Sequence, residues 1–101
     1  MVEESKRIRM EEALKSVEHP EIAYSLFELG MIKDINIEEG KVSLVLKVPM
    51  LGIPIKDYLI SSIEEALKKE DKDVRVEVKV EKMDKEERVR FMKMAQEGWR
   101  G

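Results

Sequence analysis

At 101 residues with 43% hydrophobic content, the chain has the length of one domain and enough apolar material for a core, which excludes global disorder. Charged residues make up 41%, well above the quarter or so usual for soluble domains, and the excess of Lys, Glu and Arg is the composition of an ion-paired surface, as in proteins of hot-living organisms. The net charge of −3, with the signs interleaved as in Lys79-Val80-Glu81-Lys82, excludes the basic stripe of a general nucleic-acid binder, and the absence of cysteine excludes disulfides, zinc–thiolate sites and cluster ligation by the chain's own thiols.

Met10, Ala13, Leu14 and Val17 recur at the spacing of one helical face, predicting a helix from residue 5 to about 17, with Ser5 as a candidate cap and Glu11 and Glu12 also suiting a later start. Pro20 then opens a short helical turn through Ile22, Leu26 and Leu29, which Gly30 ends because glycine accepts the left-handed conformation. Two alternating runs follow. Ile35 and Ile37 mark a first strand, Glu39-Gly40 a hairpin, and Val42, Leu44, Leu46 and Val48 a stronger second strand, with Val45 implying partial cover on its other face. A proline-bounded loop, Pro49 to Pro54, precedes a helix whose apolar residues Ile55, Leu59, Ile60, Ile63, Ala66 and Leu67 share one arc, with Tyr58 off it. Val74, Val76, Val78 and Val80 alternate in a last strand from Asp73 to Glu81. Asp84 three residues before Glu87 makes a capping box for a tail helix, whose stripe is Val89, Phe91, Met92, Ala95 and Trp99, with Arg90, Lys93 and Glu97 facing away.

The order α-β-β-α-β-α predicts an α/β (α+β-like) fold. It is a small mixed sheet whose first two strands form an antiparallel hairpin and whose last two are parallel neighbours through a right-handed crossover, with helices mainly on one face. Leu44, Leu46, Val76 and Val78 are then expected to be buried together with Leu59, Ile63 and Leu67. The tail stripe serves core and interface at once if Val89 and Met92 turn inward while Phe91 or Trp99 stays partly open. Residues 1–83 read as one domain and 84–101 as a helical extension.

The sequence holds no Gly-x-x-x-x-Gly-Lys-[Ser/Thr] loop, no Gly-x-Gly-x-x-Gly and no His-Glu-x-x-His. His19 is the only histidine, and Ser16, Ser25, Ser43, Ser61 and Ser62 sit in plain helical or strand patterns with no local sign of activation. His19, Glu21 and Glu28 have ligand chemistry, but a carboxylate in a first helical turn is favoured without any metal, so none is expected. The 49–54 loop joins the best strand to the best helix, where open α/β sheets place ligands. Its Met50, Leu51 and Ile53 offer no acid, base or donor, so it reads equally as a hydrophobic plug and as a docking surface. No apolar run approaches the roughly 20 residues that span a bilayer, and the opening Met-Val-Glu-Glu-Ser-Lys-Arg lacks a signal-peptide core; the expected location is the cytoplasm.

Three landmarks on this frame, spanning about residues 10 to 82, resemble the iron–sulfur cluster assembly domain family that includes the PaaD and SufT proteins and precedes the P-loop ATPase in some Mrp/ApbC-type carriers. His19-Pro20-Glu21 stands where that family has Asp-Pro-Glu after its first helix. Phe27-Glu28-Leu29-Gly30 matches its apolar-acid-Leu-Gly, and Pro49 to Pro54 its Pro-containing loop ending in Cys-Pro, with Ile53 at the position of the cysteine. The tail from Asp84 is similar to the segment that joins this domain to the ATPase in fused relatives. In the family the loop cysteine is the residue associated with reactivity or cluster handling. An alkyl side chain cannot replace a thiolate as nucleophile or ligand. The resemblance therefore implies an accessory or adaptor protein in iron–sulfur cluster assembly or transfer, not an enzyme and without a cofactor of its own. Its partners would be a P-loop ATPase or an iron–sulfur client protein, with homo-oligomerisation left open, and its contacts would run through Glu21, Glu28, Pro49, Ile53, Pro54, Tyr58, Phe91 and Trp99. The alternatives are an accessory subunit of a multicomponent oxygenase system, as PaaD-like proteins are associated with one, and a small oligomeric scaffold.

Overall fold

The computed structural model describes residues 4–52 and 54–100, and Ile53 lies outside the described residues. Its elements run α1 (Glu4–Ser16), β1 (Ile32–Glu38), β2 (Lys41–Val48), α2 (Lys56–Glu70), β3 (Arg75–Lys82) and α3 (Lys85–Gly98), in the expected α-β-β-α-β-α order. The sheet order is β1-β2-β3, antiparallel between β1 and β2 and parallel between β2 and β3. Gly40, at φ 76°, turns the hairpin as its sequence position implied. A bulge between Lys33 and Asn36 puts Asp34 at φ 51°, a conformation Asp tolerates better than most residues.

The two faces of β2 explain the layers. Val42, Leu44, Leu46 and Val48 are buried, and with Leu59, Ile63 and Leu67 of α2 and Met10 and Leu14 of α1 they form the core. Val76 and Val78 were expected inside with them, but both are only half-buried against that core. The reason is topological: β3 is an outer strand, so its apolar face is covered from one side only. On the opposite face Lys41 pairs with Glu77 at 3.4 Å and Lys47 with Glu81 at 3.4 Å. Burial pulls the Lys47 ammonium downward, but its bonds to Glu81 and Glu87 outweigh that and leave its pKa raised. Lys6 of α1 reaches Asp71, just beyond α2, at 2.7 Å and helps to hold that carboxyl below its ordinary value.

Three local expectations are corrected. Helix α1 already runs through Ser5, which is therefore inside the helix and not its cap. The segment after Pro20 is not a helical turn from the start. Glu18 bridges Ser25, the His19 amide donates to the Tyr24 carbonyl at 3.1 Å, and the Leu26 amide donates to Val17 at 2.8 Å, so residues 17–26 form a tight loop. The single turn begins at Ser25, whose hydroxyl accepts from the Glu28 amide while Glu28 Oε1 accepts from the Ser25 amide, a reciprocal cap. Gly30 at φ 77° ends it.

The third correction concerns α3. Its Asp84–Glu87 capping box forms as read from the sequence. Phe91 is the residue that turns inward, with Met94 and Ala95 partly buried, whereas Val89 is 61%, Met92 50% and Trp99 56% exposed. At about 100° per residue, positions 91, 94, 95 and 98 make one narrow inward face, while Met92 and Trp99 fall on the flank beside it and Val89 lies nearly opposite. Both ends of α3 are tied down. Glu87 reaches Lys47 at 3.5 Å and Lys33 at 3.7 Å. At the other end the Ala23 amide donates to the Gly98 carbonyl at 2.7 Å, the Arg100 amide donates to Glu21 at 3.1 Å, and Arg100 pairs with Glu18 at 3.1 Å. Gly98 packs so closely that a Cβ there would stand 2.9 Å from the Tyr24 ring.

Candidate functional site: an apolar groove beside α3

Because α3 touches the body along a narrow face and is pinned at its ends, a groove remains along its flank. This open groove has a volume of about 790 Å³, within the usual range of ligand or anchor-residue pockets. Pro49, Pro54 and Ile55 form one wall, and Phe91, Met92, Ala95, Gln96 and Trp99 of the tail form the other. Ile22 and Met31 line its buried side, and His19 and Glu21 are its charged or titratable members. A second depression, lined by Pro49, Met50, Arg88, Val89, Met92, Lys93 and Gln96, lies on the other side of Met92. With Met50 at 60% and Leu51 at 55% exposure, apolar surface thus continues from the groove over Met92 to the loop.

His19 is the buried polar group of this site, 4% exposed. Its Nδ1 accepts a hydrogen bond from the Glu21 amide at 3.0 Å, so in the neutral ring the proton sits on Nε2. Burial lowers the His19 pKa, and the nearby Glu21 charge only partly opposes that. The imidazole is thereby a neutral hydrogen-bonding group rather than a cation. Among the described residues no three His, Cys, Asp or Glu side chains gather where a metal ion could be held. The arrangement suits the burial of an apolar side chain or segment against Met, Trp and Pro surfaces, with His19 and Glu21 as the polar margin.

Of the residues singled out in the sequence, Glu21, Pro49, Pro54, Phe91 and Trp99 are brought together in the groove. Tyr58 is not among its lining residues; it projects from α2 and is 57% exposed. Glu28 is not among them either, because its carboxylate caps the turn at Ser25 and Arg90 Nη2 donates to its carbonyl at 3.2 Å. Ile53 falls outside the described residues. Sequence reasoning missed Gln96 and Met31 as lining residues. Gln96 had a usable signal, since it stands four residues after Met92 and three before Trp99, on the same helical flank. Met31 had none.

The fold and groove define a small α+β domain that presents an apolar cleft. Comparison with known proteins then places it: the family model described as iron–sulfur cluster assembly protein matches residues 8–80, and the chain belongs to that family. It is 37% identical over 67 residues to an iron–sulfur cluster carrier protein of Synechocystis sp., a match that covers 66% of this chain and 19% of that protein. The chain thus corresponds to a small part of that relative. The crystal structure of a domain of unknown function from Bacillus anthracis superposes with a TM-score of 0.69 at 22% identity, covering 93% of both chains, a likeness of fold. No helix among the described residues is long and apolar enough to cross a membrane.

Proposed function

We propose that this chain is a non-catalytic adaptor in iron–sulfur cluster assembly or transfer, which docks a P-loop ATPase or an iron–sulfur client protein in the groove beside α3. The observation that carries the reading is the groove itself, apolar and flanked by the exposed Met92 and Trp99. The family match ends at residue 80, so the α3 wall is built by the segment beyond it. The chain has no cysteine, and Ile53 occupies the loop position at which the family resemblance places one. Contact with a partner, not thiolate chemistry, is then what this loop contributes.

Trp99 is the sole tryptophan and lines the groove, so its fluorescence reports occupancy directly. Titrating the chain with a purified P-loop iron–sulfur carrier ATPase is expected to shift and saturate that emission, and adding the chain should change the rate at which the loaded carrier passes its cluster to an apo-acceptor. The isolated chain, reconstituted anaerobically with iron and sulfide, is expected to take up no stoichiometric cluster. A stable cluster per chain without added thiol ligands would overturn the adaptor reading.

A further inference from the structure

The outer strand of the sheet carries a second surface, separate from the groove. β3 pairs with β2 on one side only. The Arg75 amide donates inward to the Gly40 carbonyl at 2.9 Å, and the Met83 amide donates inward to Val48 at 2.7 Å. The β2–β3 register is continuous from Arg75 to Lys82. Peptide directions alternate along a strand, so the odd-numbered residues bond to β2, and Val76, Val78 and Val80 present their N–H and C=O groups to the open edge. An edge of this kind is a template for another strand.

The side chains specify which strand. On the face away from the core β3 reads Arg75, Glu77, Lys79, Glu81, a sequence in which reversal exchanges the signs. Placed antiparallel about a two-fold axis through Val78, it sets Arg75 opposite Glu81 of a second copy and Glu77 opposite its Lys79. On the core face Val76 meets Val80 of the second copy and Val78 meets its equivalent. The outward-pointing peptides then pair with one another. A shift by one pairing step sets Glu77 against Glu77, or Lys79 against Lys79, and a one-residue slip turns outward amides toward inward ones. We propose that the open edge of β3 is a homodimer interface, where two copies of this chain join antiparallel about Val78 into one continuous sheet. The internal pairs Lys41–Glu77 at 3.4 Å and Lys79–Glu81 at 3.2 Å lie on the same face, so the second copy extends an existing charge ladder.

Sedimentation of the full chain over a concentration series, with circular dichroism to confirm folding, tests this. The wild type is expected to dimerise, and Lys79→Glu to weaken the dimer by about 10-fold or more, since attractive cross-strand pairs become repulsive ones. The double variant E77K/K79E restores opposite charges across the axis and should recover dimerisation. In this cysteine-free chain, V78C should oxidise to a covalent dimer, because facing residues of an antiparallel hydrogen-bonded pair stand about 5.5 Å apart between Cα atoms. V89C, on α3, should not. A chain that stays monomeric up to about 1 mM, the weak end of measurable association, would overturn the proposal. So would a dimer that V89C traps and V78C does not, or one whose affinity both charge variants leave unchanged.

Discussion

His19 shows how one buried residue ties the loop before β1 to solution conditions. The ring is neutral in the fold because burial lowers its pKa, and its Nδ1 is already committed as an acceptor to the Glu21 amide. Protonation would destroy that acceptor and place a charge on a buried ring at the polar margin of the groove. In the unfolded chain the imidazole titrates near the ordinary value of about 6.5. Between that value and the lower folded one the unfolded state binds more protons, so stability rises with pH there and is fully present above the unfolded value. The melting temperature is therefore expected to be flat above about pH 7 and to fall as pH drops through about 6. His19→Asn, which keeps an acceptor near Nδ1 but cannot titrate, should abolish that slope. Thermal melts of both proteins across the interval check it, and an identical slope in the variant would mean another group is responsible. Little of this was legible in the sequence. The sequence marked His19 only as a lone histidine with ligand chemistry, and only the fold shows that the loop closes over it. Glu28 shows the converse. Its family-like position marked it as a binding residue, while the Ser25-x-x-Glu28 spacing, also in the sequence, spelled the cap it actually forms.

At the scale of elements, periodicity was a sufficient guide wherever an element has one buried side. The α2 arc of Leu59, Ile63 and Leu67 is fully buried as its spacing required, and β2 and β3 are parallel neighbours because the helix between them must cross back over the sheet. Ile63, with no exposed surface, stands at the middle of that contact. Ile63→Ala is expected to cost about 2–5 kcal/mol, by lost transfer energy and the cavity left behind, read from chemical denaturation. A loss below about 1 kcal/mol, no more than an exposed site would show, would mean that the α2–sheet contact is not the core. Periodicity was less sufficient for α3. Its apolar residues cover a wider arc than its contact face, and an arc alone does not say which part meets the body. That choice was made by long-range contacts: Phe91 against the core, Gly98 against Tyr24, and Glu87 between Lys33 and Lys47. The 17–26 loop was misread for the same reason, because its bonds join residues to partners across the loop and to the far end of the chain.

For the whole molecule the question is what α3 contributes, and the structure buries one side of it at Phe91 while leaving Val89, Met92 and Trp99 exposed. Removing residues 84–101 would uncover Ile22, Met31 and the site of Phe91 together, besides cutting the bridges at Ala23 and Glu21. In a small domain, whose burial is limited by its size, that loss falls on the fold itself. Truncation should therefore lower the melting temperature sharply, and lost partner binding in the truncated chain would say nothing about docking. Substitution at the exposed positions separates the roles. Val89, Met92 and Trp99 are each half exposed or more, so Val89→Ser, Met92→Gln and Trp99→Ala should each change stability by only about 0.5 kcal/mol or less. If the flank anchors a partner, Met92→Gln and Trp99→Ala should weaken binding to the P-loop carrier by about 10-fold or more, as truncation of central aromatic and methionine anchors does at other interfaces. Val89→Ser, which affects only the outer depression, should matter less. Calorimetric titration beside a thermal melt of each variant measures both quantities. Binding that survives Trp99→Ala and Met92→Gln unchanged in fully folded protein would move the partner away from the groove and leave α3 as core alone.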